Sequence, residues 1–568
     1  MESASFSRRR SQQAGFGALA MSPKGKAIGL FLLLTLVIAG PFWLRKSEQN
    51  LMIQSVRRLV ILSPHDQRVR DEIGRGFTQY WKKKTGESID IDWRIPGGSS
   101  EIFLLLKSEY QQAFRQIFES RGGVWTHGIA QSFANPVLEG GDGLMAHARR
   151  TFLESNVGIG VDLLFGGGAA DFQQLAEAGY LVPGDAKSGT GISAIRNQKP
   201  EWFEDHVIPS SFAGERYRDP EDRWIGVVLA SFGILFNRDV LEEVGIQDEP
   251  NAWKDLADPR LLGFLALADP AKSGSAAKAY ELIIQQQMLQ RQAQGTPEPI
   301  REGWLSGLRL IQRLAGNARY FTDSSGKIGL EVAQGEAAAG MAIDSYGRTI
   351  RDSIRITNGR SRLGFILPKG GTSLSVDPVA MLRGAPDPIL ATAFMTYLLS
   401  SEGQAILGLQ PGEAGGPLHH ALRRLPVRMD FYRDLSGESS LSKEPNPFIQ
   451  VGDFVYHSEW TQPSFVALRF LIRVLFADSH PELVTAWKAL VANGMPPKAL
   501  ELFDNIEDAG YDTVRDEITP ILRARDKGRE IALARAMGER SRARYRAVAL
   551  LAEKEHRDQL LSTSGVHP

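Results

Sequence analysis

Five short turns carry the residues most able to do chemistry: Ser63-Pro64-His65, Gly98-Ser99-Ser100, Gly166-Gly167-Gly168, Ser273-Gly274-Ser275 and Asp344-Ser345-Tyr346. Each combines small or hydroxyl-bearing residues and lies between an apolar run and a helical pattern. Free N–H groups at a helix N-terminus, with hydroxyls beside them, hold a carboxylate or a phosphate without covalent chemistry. Glycine lets the backbone come close to such a group. A single turn of this kind is an ordinary helix cap, so the five matter only if they meet in space. Catalytic patterns are missing. The chain has no G-x-x-x-x-G-K-[ST], no H-E-x-x-H, no G-x-G-x-x-G and no G-x-S-x-G. The adjacent His419-His420 pair does not face one site in a helix. The absence of cysteine removes disulfides, thiolate chemistry and cysteine-held metal clusters.

The elements that must position these turns follow a regular grammar. Arg57 to Ser63 reads as a strand, and Val69, Ile73, Phe77, Tyr80 and Trp81 form a helical stripe that stops at Thr85-Gly86. Ile89, Ile91, Trp93 and Ile95 alternate with polar residues, giving a second strand before the turn at Ser99. The same order recurs at Val161 to Phe165, at Phe264 onwards with a loop over Asp269–Ser275, and at the strand that ends in Asp344. Strand followed by helix is the pattern of an α/β sheet with ligands at the strand ends. The run Arg223 to Asn237 reads as two strands broken at Ala230-Ser231. Residues 110–150 read as an irregular insertion. From about 440 the pattern is helical, with a stripe of Phe465, Leu468, Leu471, Ile472 and Leu475. Residues 521–558 read as a charged helix with one face on the core.

A chain of 568 residues is long enough for more than one domain. Equal numbers of basic and acidic residues, 66 each, argue against a dedicated nucleic-acid binder. Arg8, Arg9, Arg10, Lys24 and Lys26 precede the apolar run Ala27 to Leu44, which is long enough to span a bilayer. Positive charge on the leading side puts the N-terminus in the cytoplasm and the bulk outside. A cleaved signal peptide is the competing reading, but Pro41 and Trp43 stand where cleavage is expected.

A longer stretch is more specific. SFGILFNRDVLEEVGI…AWKDLADPRLLGFLALADPAKSGSAAKAY resembles the bacterial extracellular solute-binding proteins of ABC importers. The branch is the one that holds the ferric-iron, thiamine and phosphonate binders. Asn237, Leu241, Trp253, Asp255, Leu256, Asp258, Pro259, Gly263, Asp269, Pro270, Ser273 and Gly274 carry the likeness. VDLLFGGG, QGEAAAGMAIDSYGR and SSEGQ follow in the expected order, so it spans about 57–410.

The resemblance implies an α/β, two-lobed periplasmic-binding-protein-like fold of type II with an interlobe cleft. The first lobe is expected over 57–229, with an insertion at 107–150, the second over 230–345, and a return to the first over 346–420. A cytoplasmic tail over 1–26, a transmembrane signal-anchor over 27–44 and an α-helical C-terminal extension over 421–568 complete the plan. The cleft walls are expected at Ser63, His65, Ser99, Ser100, Gly167, Gly168, Ser231, Ser273, Gly274, Ser275, Asp344 and Tyr346. Ferric binders of this branch use adjacent tyrosines, a histidine and a carboxylate. Here His65, Asp344 and Tyr346 would be the ferric ligands, yet the chain has no adjacent tyrosine pair. A phosphorylated or carboxylated small molecule suits the turns better. The expected protein is a non-enzymatic solute binder without a cofactor, held at the inner membrane by its N-terminal helix and facing the periplasm. Its partners are a small solute and the permease and ATPase of an ABC importer, with no nucleic acid. A membrane-tethered ligand sensor and an enzyme on the same scaffold are the rival readings.

Overall fold

The computed structural model describes residues 56–354, 361–433, 446–451, 453–524 and 526–563. From Arg58 onward the chain forms one compact unit. The anchor expected at 27–44 lies outside the described residues. Among those residues no helix is long and apolar enough to cross a membrane.

The strands are β1 (Arg57–Leu62), β2 (Ile89–Arg94), β3 (Leu163–Phe165), β4 (Leu181–Val182), β5 (Ile225–Ala230), β6 (Phe232–Asn237), β7 (Leu265–Ala268), β8 (Ala318–Thr322), β9 (Ala339–Ile343), β10 (Leu363–Ile366), β11 (Ser375–Leu382) and β12 (Leu425–Pro426). They build two mixed sheets. The first has the order β12-β5-β11-β3-β1-β2, with β4 on β11, and the second has the order β8-β7-β9-β6-β10. β1 and β3 are parallel, as are β7 with β8 and with β9. Strands β5, β6 and β7 are buried along their whole length, which is why they read as continuous apolar runs rather than alternating ones.

The chain passes from the first sheet to the second at Ser231, between β5 and β6, and returns between β10 and β11. Backbone bonds brace the crossing: Asp344 N–H donates to the Ser231 carbonyl at 2.9 Å. Phe232 N–H donates to Thr372 Oγ1 at 3.0 Å, and Ser375 Oγ to the Ala230 carbonyl at 3.0 Å.

The helices that bear on the site are α1 (Gln67–Thr85), α2 (Ser99–Ser120), α3 (Ala169–Ala178), α4 (Gly274–Ala293), α5 (Pro299–Asn317), α6 (Ser325–Gln334), α7 (Asp344–Ser353), α8 (Phe465–Ile472), α9 (His480–Ala492), α10 (Pro497–Asp504) and α11 (Lys527–Thr563). α1 shows the local logic. The Asp66 side chain caps its start by accepting from Val69 N–H, and Gly86 ends it in the left-handed region.

Two expectations are corrected. The segment 107–150 is largely helical: α2 runs to Ser120, and helices at His127–Ser132 and Leu144–Glu154 follow. Phe114, Phe133 and Phe152 bind these helices together, with ring centroids 5.0–5.2 Å apart. Glycines at the joints between short helices hide that periodicity in the sequence. The segment after 420 is not helical from its start either, because β12 adds an edge to the first sheet. Two residues are too few to show a period of two.

The remainder of the C-terminal segment is not an appendage. Tyr545, Val548 and Ala552 of α11 belong to the same buried cluster as the second sheet, together with Phe476, Trp487 and Phe503. Trp487 Nε1 donates to Asn317 Oδ1 at 2.8 Å, and Trp304 Nε1 to the Ala509 carbonyl at 2.8 Å.

Candidate functional site

Between the two sheets lies a cleft of about 1260 Å³. Four helices present their N-termini to it: α2 through Gly98 and Ser99, α3 through Gly168 and Ala169, α4 through Ser273 to Ser275, and α6 through Ser324 to Gly326. The first two come from one lobe and the others from the second. Ser273 Oγ accepts from Ala276 N–H at 3.3 Å, and Ser324 Oγ from Gly326 N–H at 3.3 Å, so these two starts are capped. α2 and α3 begin at Gly98 and Gly168, which have no side chain to cap them. Their first-turn N–H groups are the least satisfied donors of the four. A Cβ placed on Gly167 would stand 3.4 Å from Ser99 Oγ, so the two starts are neighbours.

The end of β1 supplies His65, which is 4% exposed. Its ring packs on Phe165 at 4.5 Å, and its Nδ1 lies 3.1 Å from Ser63 Oγ. Gly166 makes room for it: φ is +95°, and a Cβ there would fall 2.4 Å from His65 Cε1. His65 Nε2 stops 3.6 Å from Asp377 Oδ2, beyond hydrogen-bond reach, and has no other partner among the described residues. Burial lowers the His65 pKa below its ordinary value, against the opposing pull of Asp377, which favours the neutral imidazole. Asp377 itself is pushed up by burial, yet His65 and Arg424 hold it below the usual carboxylate range. Arg424 Nη1 donates to Asp377 Oδ2 at 2.5 Å from the start of β12.

Cations and anions also meet across the cleft. Lys278 of α4 pairs with Glu281 of its own helix and with Glu215 of the first lobe, each at 3.0 Å. Its Nζ stands 3.4 Å from the ring centroid of Tyr456. The two carboxylates raise its pKa despite burial, which acts the other way. Asp171, on α3, is pushed up by burial, with Arg469 opposing.

Residues 195–415 match the family model of the bacterial extracellular solute-binding proteins. An uncharacterized protein of Haemophilus influenzae is 26% identical to this chain over 245 residues, 43% of this chain and 60% of that protein. The phosphoglycerate transport regulatory protein PgtC of Salmonella typhimurium is 26% identical over 184 residues, 32% of this chain and 40% of that protein. The chain thus spans 40–60% of the length of these curated relatives. Among solved structures, the periplasmic binding protein AfuA of Actinobacillus pleuropneumoniae, solved with fructose-6-phosphate, aligns at TM-score 0.43 and 17% identity, covering 76% of this chain and 98% of that one.

Of the residues expected at the cleft walls, His65, Ser99, Gly167, Gly168, Ser273, Gly274, Ser275 and Tyr346 line the cleft. Four expected wall residues do not. Ser63 is fully buried behind His65 and is committed to the ring and to His65 N–H. Ser100 Oγ accepts from Arg469 Nη2 at 3.0 Å. Ser231 and Asp344 belong to the crossing between the sheets, where Ser231 N–H donates to Asp344 Oδ1 at 3.4 Å. Arg348 Nη2 stands 3.9 Å from the Asp344 carboxylate. Asp344 is not among the residues that line the cleft, although its Oδ2 is buried without a hydrogen-bond partner among the described residues. Among the described residues no group of three or more His, Cys, Asp or Glu is placed to hold a metal ion.

The sequence reading missed Lys278, Asp377, Arg424, Arg469 and the α6 start. The α6 start was within reach, because Asp323-Ser324-Ser325-Gly326 has the composition of the other turns. The charged residues lie on helix faces and strand middles, where sequence gives no sign of which way they point.

Proposed function

We propose that this chain is the extracytoplasmic solute-binding component of an ABC importer, capturing a small anionic organic solute between its lobes. The convergence of four helix N-termini on one cleft carries the reading, since aligned N–H groups and helix dipoles stabilise carboxylate or phosphate. The match of residues 195–415 to the family model of extracellular solute-binding proteins supports the reading. The name of the Salmonella relative makes a phosphorylated three-carbon acid the first solute to try. His65 supplies a neutral ring nitrogen at the cleft wall, and Tyr346 a phenol kept neutral by burial. Closure of the two lobes around the solute would create the surface that a permease recognises. An N-terminal anchor over 27–44 would hold the domain at the inner membrane, on the periplasmic side.

The reading contains no catalytic step. Ser63, His65 and Asp377 lie in one line, but the Ser63 hydroxyl is sealed behind the ring and no substrate reaches it. Thermal-shift measurements on the full chain test the proposal, with 3-phosphoglycerate, inorganic phosphate, a phosphonate, ferric citrate, putrescine and a neutral sugar. A solute at 100 times its dissociation constant adds about 2.7 kcal/mol. A shift with anions alone supports the reading. A shift only with putrescine or the sugar defeats the anion assignment, and no shift with any of them defeats solute capture. The word "regulatory" in the relative's name favours one rival, a sensor that reports ligand to a signalling partner. Cross-linking in membranes, to a permease or to a sensor protein, separates the two.

A further inference from the structure

The domain model ends at 415, yet one wall of the cleft comes from beyond it. Ser458, Gln462, Phe465 and Arg469 all line the cleft. Their spacing of four, three and four places them on a single helical face, here split between Ser458–Thr461, the turn at Gln462–Ser464 and α8. The chain reaches that position by a third crossing between the lobes. Phe448 and Val451 are buried in the first-lobe core, whereas Phe454 and Tyr456 are buried in the second. Tyr456 N–H donates to the Ala213 carbonyl at 2.8 Å, pinning the crossing to the Ser211–Arg216 hairpin.

Arg469 is the charged member of this face, and its placement is over-determined. Nε donates to the Pro270 carbonyl at 2.8 Å and Nη2 to the Ala271 carbonyl at 3.1 Å, both on the turn that leads into α4. Nη2 also donates to Ser100 Oγ at 3.0 Å, across the cleft in the first turn of α2. Its Nη1 makes no hydrogen bond among the described residues and remains available to a ligand. No carboxylate forms an ion pair with Arg469 among those residues, unlike Arg424, which Asp377 neutralises. Asp171, in the first turn of α3, is the carboxylate that Arg469 faces, and it stands beyond ion-pair distance. A guanidinium fixed by neutral oxygens beside the start of α2, with no direct ion pair, suits an anion that enters from outside.

We propose that the C-terminal segment is part of the binding site and that Arg469 reads the solute's carboxylate or phosphate group together with the starts of α2 and α3. This rests on the anion-capture reading above and assigns a recognition residue outside the matched domain. The test is calorimetric titration of the full chain with 3-phosphoglycerate and with inorganic phosphate. Arg469→Ala is expected to weaken binding about 10- to 100-fold, the usual effect of losing a charge-assisted bond. Millimolar methylguanidinium is expected to recover part of that loss. Ser100→Ala keeps the guanidinium and removes only its cross-cleft bond, and is expected to change affinity by about twofold or less. If Arg469→Ala does not fold, Arg469→Lys carries the test, because it keeps the charge but loses the fork, and an intermediate loss is expected. Unchanged affinity in the Arg469 variants overturns the proposal while leaving anion capture intact. A loss in Ser100→Ala as large as in Arg469→Ala also overturns it, since Arg469 would then act only as a latch between the lobes. Wild-type protein that binds neither anion defeats the anion-capture reading and this proposal with it.

Discussion

At the scale of single residues, the cleft is shaped by a small glycine and a buried imidazole. Gly166 combines a left-handed φ with a close contact behind the wall, 2.4 Å from a new Cβ to His65 Cε1. Gly166→Ala is therefore expected to cost roughly 1–3 kcal/mol and to displace His65, and urea denaturation against wild type measures it. His65 has a folded pKa below its unfolded value of 6.5, so the unfolded chain binds the proton first as pH falls. Stability is then highest above pH 6.5 and drops as pH falls from 6.5 through the folded pKa. His65→Gln is expected to lose this part of the acid sensitivity and to behave like wild type in slope above 6.5. Melting temperature recorded from pH 5 to 8 checks it, and parallel curves over the whole range would refute it.

At the scale of elements, the C-terminal helices are second-lobe core rather than an added module. Tyr545 on α11 is fully buried, its hydroxyl donates to the Leu475 carbonyl at 3.2 Å, and it lies 3.3 Å from Gln312 Nε2 of α5. Tyr545→Ala removes a large buried ring and two hydrogen bonds, and is expected to cost about 3–5 kcal/mol. Limited proteolysis should then cut the second lobe, including α5 and α9, and not α11 alone. Release of α11 with the lobe left intact would show that it packs as an independent element. The charged outer face of α11 explains why composition alone reads it as solvated: the helix buries only a narrow stripe through Met537, Tyr545, Val548 and Ala552.

At the scale of the whole molecule, the lobes are joined by more than two crossing strands. The third crossing at 448–456 and the Lys278–Glu215 pair both tie the lobes. The Lys278 side chain is 19% exposed, and its removal leaves Glu215 and Glu281 buried without their cation. Lys278→Met is expected to destabilise by about 3–5 kcal/mol and to open the cleft. Small-angle scattering of the unliganded protein reads the opening as a larger radius of gyration. An unchanged radius would mean that the crossings alone set the lobe angle.

The amino-acid sequence by itself determined the strand–helix grammar, the break at Ser231 and the turns at His65, Ser99, Gly167 and Ser273, because local periodicity and turn chemistry are written in neighbouring residues. It carried too little to place Asp344, whose residue type suits a ligand equally well but which lies at the crossing, with Oδ1 3.4 Å from Ser231 N. Packing alone decided the pairing of Asp377 with Arg424, 47 residues apart. The same holds for Arg469, whose guanidinium meets Ser100 across 369 residues of chain. Such contacts depend on which faces two helices turn toward each other once both cores are buried, and no short stretch of sequence contains that choice.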